Sequence, residues 1–391
     1  MFDTSIFNSI KKVLRDGVNN NETAGANLLL IQDGKEIFYH EDGYADREEG
    51  LPIRRDSIFR LYSMTKTFTS AAAMILLERG IIDLYDPLSM YLPGFKNQMV
   101  ETGGGLVPVK REVSIRDLLS MTSGLVYGGE NKSGRETEKL FEEIDKRLLG
   151  NSPMSTIEIA NRLGQCTLAF QPGESWEYGT SADVLGAVIE AASGMSFGAF
   201  LEKELFSPLN MKDTGFWLPS EKRSRLAKAY MNMDGGMAPY YGNHLGIINA
   251  MDRKPAFESG GAGLASTIDD CARFTGMLMN EGSLDGVRIL KPMTVKYMTS
   301  YALNDQQKKA FHDRFTSLCG HNYGNFMRVM TDIGQAGLIG SQGEYGWDGW
   351  LGVYFCNCPQ IGLTFLYMMQ RKDSGTTNLI RKLRNIVLSA C

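Results

Sequence analysis

A serine hydroxyl and a lysine amine stand three positions apart at Ser63-Met64-Thr65-Lys66. Residues i and i+3 share a helix face, so this spacing lets the amine reach the serine oxygen. The residues that follow, 68–77, are apolar on most faces, and Gly80 supplies a stop. Lys66 therefore enters a helix with almost no other charge before Glu78, where desolvation favours the neutral amine. The helix N-terminus lends partial positive charge to any oxyanion formed at the serine. Together these are the features of an activated nucleophile.

Two other serines carry similar letters. Ser9-Ile10-Lys11-Lys12 lies in an amphipathic stretch, with Ile6, Phe7, Ile10 and Val13 on one face and Lys11, Lys12 and Arg15 on the other. It reads as a solvated helix surface. Gly194-Met195-Ser196-Phe197-Gly198 matches the G-x-S-x-G elbow, which needs a strand before the serine and a helix after it. Here a helical pattern over 184–192 precedes it, so Gly194 reads as a C-cap and Ser196 as the next N-cap. A Ser-His-Asp triad would also need a suitable histidine. None of the four, at 40, 244, 312 and 321, lies in a strong motif.

Two further segments must position groups around Ser63. The turn-rich residues 171–181 run into a helix expected over 182–192, which sets Tyr178 just before that helix. Residues 343–355 read as a glycine-rich strand end leading into a hairpin, where small residues let a backbone or ligand approach closely.

With this ordered trio in place, the chain resembles the serine β-lactamase and penicillin-binding-protein superfamily, especially class C β-lactamases and family VIII carboxylesterases. The resemblance extends over nearly the whole length. It includes Leu84-Tyr85-Asp86-Pro87-Leu88-Ser89-Met90-Tyr91-Leu92-Pro93 after the nucleophile helix and Arg116-Asp117-Leu118-Leu119-Ser120-Met121-Thr122-Ser123-Gly124-Leu125. It also includes Gly260-Gly261-Ala262-Gly263-Leu264-Ala265-Ser266-Thr267, followed by Asp269, Asp270, Arg273 and Phe274.

The resemblance implies an acylated Ser63, Lys66 as the amine that takes or relays its proton, and Tyr178 as the phenol that shuttles protons. Which of Lys66 and Tyr178 is the formal base stays open. The backbone N–H groups of Ser63 and Trp350 would form the oxyanion hole, each such donor being worth about 3 kcal/mol of barrier. Two departures bear on the substrate. The family's Y-x-N is Tyr178-Gly179-Thr180, without the carboxamide that pairs with a substrate amide. The third motif, Lys/His-Thr/Ser-Gly in many lactam-recognising members, is Trp347-Asp348-Gly349. Thr180, Trp347 and Gly349 are expected at the substrate. Strand alternation would turn Asp348 away from the pocket.

At 391 residues and 43% hydrophobic content, the chain can bury a large core. A net charge of -4 gives no electrostatic footprint for nucleic acid or an anionic membrane. No apolar run approaches a spanning length, and the N-terminus has no secretory pattern, so a cytoplasmic location is expected. Six scattered cysteines read as reduced and structural. Cys356-Asn357-Cys358 lacks further ligands at metal spacing, so neither a metal nor a cofactor is expected.

The expected class is α/β (α+β): an antiparallel sheet flanked by helices, with an inserted, mostly helical domain. A helix over about 4–16 precedes a hairpin of strands 27–32 and 36–39 around Asp33-Gly34-Lys35. Strands return around 324–330, 349–356 and 362–370, before a last helix over about 377–388. Residues 1–63 with 251–391 would form the sheet domain and 64–250 the helical one, with the active site in the cleft between them. The expected activity is a serine hydrolase working through an acyl-enzyme, first a carboxylesterase on small to medium neutral esters. A β-lactamase or D-alanyl-D-alanine carboxypeptidase is the alternative within that mechanism. A non-catalytic binding protein is the reading from another class, and it gives no physical reason to keep Ser63, Lys66 and Tyr178 together. The implied partner is a small-molecule ester or amide.

Overall fold

The computed structural model describes residues 2–391. Its centre is an eight-stranded sheet. The first three strands are β1 (Gly25–Gln32), β2 (Lys35–Asp46) and β3 (Leu51–Pro52). The other five are β4 (His321–Gly324), β5 (Met327–Met330), β6 (Tyr345–Gly346), β7 (Tyr354–Cys358) and β8 (Leu363–Met369). Their order is β4-β5-β6-β7-β8-β1-β2-β3, and each neighbouring pair is antiparallel. Strands from the two ends of the chain thus meet at the β8–β1 pair, where Leu29 lies opposite Leu366.

The β1–β2 hairpin closes through Asp33 and Gly34, at φ 49° and 74°. Two successive left-handed residues are what a type I′ turn requires, and Asp-Gly supplies them. Period-two alternation then splits each central strand between two cores. Leu28 and Leu30, with Phe365 and Tyr367, pack under α1 (Phe7–Asn19) and the C-terminal helix Asn378–Leu388. Leu29, Leu366 and Met368 face the opposite side, toward α2 (Thr65–Glu78). The sheet is therefore covered on both faces.

α2 is buried along almost its whole length, with Phe68 stacked on Phe274 at 4.0 Å between centroids. Emptying such a site by Phe→Ala typically costs about 3–5 kcal/mol, so this helix is a rigid mount for the residues at its mouth. α3 (Ser181–Ser193) packs against α2 and ends at Gly194, which takes the left-handed C-cap conformation at φ 69°.

Two strands depart from the expectation. The one expected around 324–330 is interrupted by a turn at Asn325 and Phe326, at φ 49° and 64°, and runs only over Met327–Met330. Residues 349–353 form a turn rather than strand, closed by Gly349 N–H donating to the Val353 carbonyl at 2.9 Å, with Gly352 at φ 92°. The following strand is Tyr354–Cys358. Among the described residues, no single helix is long and apolar enough to cross a membrane.

Candidate active site

Ser63 occupies a one-turn 3₁₀ segment, Tyr62–Met64, that feeds directly into α2. The preceding Tyr62 is held at φ 44°, a conformation that costs a bulky residue about 1–3 kcal/mol. Its buried ring is packed 4.9 Å from Trp350 between centroids, which fixes the bend. The serine stays partly exposed at the surface of a cavity of about 310 Å³.

Lys66, one turn further on, is 0% exposed. Its Nζ lies 3.1 Å from Ser63 Oγ and 3.1 Å from the Tyr127 hydroxyl, and donates to the Gly261 carbonyl at 2.8 Å. Burial lowers its pKa to about 7, against the opposing pull of the Asp183 and Asp348 carboxylates. A carbonyl can only accept, so one amine hydrogen is committed to Gly261. A neutral amine fits the three partners if it donates its second hydrogen to Tyr127 and offers its lone pair to Ser63.

Tyr178 comes from the loop before α3. Its ring lies under the Lys66 ammonium position, 4.8 Å from Nζ to centroid, and its oxygen accepts from the Trp347 indole N–H at 3.0 Å. Burial pushes the phenol well above its usual range, while hydrogen bonding with Ser63 and Trp347 pulls the other way. Because Trp347 is a donor only, the phenol keeps its own hydrogen for a second partner. Gly179 explains how this loop comes so close: a Cβ there would lie 2.1 Å from the Leu125 carbonyl. The same contact holds the Leu125–Val126 backbone, and so Tyr127, beside Tyr178 with ring centroids 5.9 Å apart.

The third motif presses on the nucleophile turn in the same manner. A Cβ on Gly349 would sit 2.2 Å from the Leu61 carbonyl. The next residue, Trp350, lines the cavity, and among the described residues neither its N–H nor that of Ser63 donates to a backbone or side-chain acceptor. Both donors are free for an oxyanion.

Ser63, Lys66, Tyr178, Trp347 and Trp350 are therefore brought together. Two other expected residues are not at the cavity. Thr180 is 0% exposed, its Oγ1 lacks a partner, and it serves as the residue before α3 rather than as a pocket wall. Gly349 is occupied by the Leu61 contact and does not line the cavity. Asp348, expected to turn away, does line it. Antiparallel pairing continues at Asp348, which bridges Tyr354, and its carboxylate faces the 374–376 segment, which forms that side of the cavity wall. Its carboxylate accepts from the Thr376 hydroxyl, and burial pushes its pKa up.

Two functional neighbours lie outside the sequence reading. Tyr127, half-buried against Lys66, belongs to a loop with no local signal of its own. Asp183, in the first turn of α3, accepts from Ser259 Oγ at 2.5 Å and from Gly261 N–H at 3.0 Å. It thereby anchors Gly261, whose carbonyl holds Lys66. An acid in a first turn resembles ordinary dipole pairing, which concealed it.

The rival serines are accounted for by local structure. Ser9 is exposed on α1, and Lys12 pairs with Asp16 at 2.6 Å. Ser196 is exposed and caps the helix Phe197–Leu201. Among the described residues no histidine bonds to Ser63; His244 is stacked on Trp350 at 4.1 Å. All six cysteines are unbridged.

A fold of this kind, with a hydroxyl, an amine and a phenol in one cleft, defines a serine hydrolase of the β-lactamase and penicillin-binding-protein class. The chain belongs to the β-lactamase family, whose model matches residues 10–387. Among curated proteins it is 30% identical over 370 residues to Protein Rv1367c of Mycobacterium tuberculosis, covering 93% of this chain and 88% of that one. It is 28% identical over 377 residues to Esterase EstB of Burkholderia gladioli, covering 93% and 90%. Among solved structures, EstCE1, described as a hydrolase with promiscuous acyltransferase activity, superposes with a TM-score of 0.85 at 25% identity, covering 98% of both chains.

Proposed function

We propose that the protein is a carboxylesterase that cleaves small to medium esters through an acyl-enzyme on Ser63. Lys66 is the base. With a pKa of about 7, a large share of it is the neutral amine near neutral pH, 3.1 Å from the hydroxyl it must deprotonate. Tyr178 is the acid, since its phenol is held protonated and already receives the Trp347 hydrogen bond. In acylation the Oγ–acyl bond forms and the ester C–O bond breaks. Lys66 removes the proton of Ser63, Tyr178 gives its proton to the departing alkoxide, and a proton passes from Lys66 back to Tyr178, so that both groups are restored and the net result is one proton moved from serine to alcohol. The Ser63 and Trp350 N–H groups hold the negative oxygen. Water then attacks the acyl carbon by the reverse route. We further propose that residues 1–63 with 251–391, and residues 64–250, act as two units with this cleft between them.

The observation that carries the ester reading is the lining of the cavity. Tyr178, Phe315, Trp347 and Trp350 form its walls, Asp348 and Asp373 are its charged groups, and no lysine or arginine lines it. A β-lactam or a peptide ending in D-alanine brings a carboxylate, which would be desolvated here beside two acids. The names of EstB and EstCE1 agree with the ester reading.

The test compares kcat/KM for p-nitrophenyl butyrate and nitrocefin. The ester should win by roughly a hundredfold or more. Nitrocefin hydrolysis equal to that of the ester would replace this reading with a lactamase.

A further inference from the structure

Lys66 Nζ meets three oxygens, and acyl transfer as described uses only one of them. Ser63 Oγ, 3.1 Å away, is the group it deprotonates, and the Gly261 carbonyl accepts one of its hydrogens at 2.8 Å. The third is the Tyr127 hydroxyl, at 3.1 Å. Tyr127 comes from the loop between the helices Ile115–Leu119 and Lys132–Arg147, and its ring packs against Phe141 and Tyr178 with centroids 6.4 and 5.9 Å away. It does not line the cavity, and among the described residues Lys66 is the one hydrogen-bond partner of its hydroxyl. The other ionisable groups around the amine are Asp183 from α3, Asp348 from the third motif and the Tyr178 phenol, while Tyr127 faces Asp183, Tyr178 and Tyr323. None of these is hydrogen-bonded to the amine.

A neutral amine places two hydrogens and one lone pair in three staggered positions about its Cε–Nζ bond. The Gly261 carbonyl fixes a hydrogen in one of them, because a carbonyl only accepts. The other two positions are interchangeable unless a second group tells them apart. With the lone pair toward Ser63 the amine is a base; with a hydrogen there it donates to the serine oxygen and cannot take its proton. We infer that Tyr127 is a positioning residue, whose hydroxyl takes the second hydrogen of Lys66 and so turns the lone pair onto Ser63. This rests on the acyl-enzyme reading with Lys66 as base, and it adds the group that orients the base. Once Lys66 is protonated, its three hydrogens have three acceptors in Ser63, Gly261 and Tyr127, so the phenol stabilises the ammonium as well. Removing the hydroxyl therefore has two separable consequences. The neutral amine loses its orientation, and the ammonium loses an acceptor, which moves the Lys66 pKa further down.

The experiment is Tyr127→Phe, which keeps the ring and its packing. For p-nitrophenyl butyrate kcat should fall about tenfold with KM little changed, since one hydrogen bond is lost outside the cavity. The acid limb of kcat/KM, near pH 7 in the unmodified protein, should move to lower pH. In Lys66→Ala, where there is no amine to orient, adding Tyr127→Phe should cost nothing further. A kcat that is unchanged or raised, a limb that stays or moves upward, or the same loss with and without Lys66 would overturn the inference; a raised kcat would mean that the phenol competes with Ser63 for the lone pair. The same comparisons are read from the rate at which an alkyl fluorophosphonate labels Ser63, which requires no ester turnover. Labelling that shows the slower rate and the shifted limb while no ester is cleaved would keep Tyr127 in its role and remove the carboxylesterase reading. Ester cleavage with both readouts unmoved by Tyr127→Phe would do the reverse.

Discussion

Ser63 and Ser196 both stand at helix entrances, and their surroundings differ in every respect that matters for chemistry. At Ser196 the hydroxyl faces solvent and accepts the Ala199 N–H at 3.3 Å, a bond that completes the first turn of Phe197–Leu201. Its preceding residues are a helix end and a relaxed glycine cap. At Ser63 the turn is bent through a left-handed Tyr62, the hydroxyl caps nothing, and a buried amine and phenol converge on it. The serine in the better-known five-residue motif caps a helix, whereas the one in the shorter motif has an amine and a phenol beside it. A nucleophile is defined by what its hydroxyl is free to do and by the burial of its base, and neither property is a property of the letters.

The comparison breaks first at the nucleophile itself. Ser63→Ala should reduce kcat for p-nitrophenyl butyrate by about 10⁴-fold or more, measured with enzyme free of wild-type contamination. Lys66→Ala and Tyr178→Phe come next, each lowering kcat by about a hundredfold or more on an unactivated ester. Their double variant should be little worse than either alone, because the groups act as one unit. Wild-type kcat in either single variant would remove that residue from the mechanism.

A smaller effect sharpens the electrostatic side. Lys66 must be unprotonated to act as base, so activity should be lost as pH falls below about 7 and be full above it. The Asp183 carboxylate opposes the lowering of the Lys66 pKa. Replacing it by the neutral isostere in Asp183→Asn removes that pull, and the acid limb of kcat/KM should move to lower pH. A limb that moves upward or stays in place would separate Asp183 from the amine. At the other entrance, Ser196→Ala should cost about 1 kcal/mol in thermal or denaturant unfolding and leave ester turnover unchanged.

Much of this arrangement is legible in the sequence where local rules decide. The Asp33-Gly34 turn, the Gly194 cap, the Ser196 cap and the apolar run of α2 each follow from conformational preferences of a few adjacent residues. The grouping of Ser63, Lys66 and Tyr178 follows from three motifs in order. What local reasoning misses is set by contacts between distant segments. Thr180 is lost to the core because α3 begins at Ser181 and its entrance is packed against the 123–126 loop, with Ser123 and Ser181 hydroxyls 2.9 Å apart. Asp348 lines the cavity because the distant segment 373–375 folds over the side of the chain that its carboxylate faces. Tyr127 and Asp183 reach Lys66 only through the close backbone approach at Gly179 and the Gly261 peptide. No spacing along the chain announces either.

The most direct measurement is the site of covalent capture. The protein is treated with an alkyl fluorophosphonate, which traps an activated serine, and the labelled peptide is mapped by mass spectrometry. A single adduct on Ser63, absent in Ser63→Ala and suppressed below pH 7 as Lys66 protonates, is the predicted result. An adduct on Ser196, or one on Ser63 that forms equally fast in Lys66→Ala, would contradict the account.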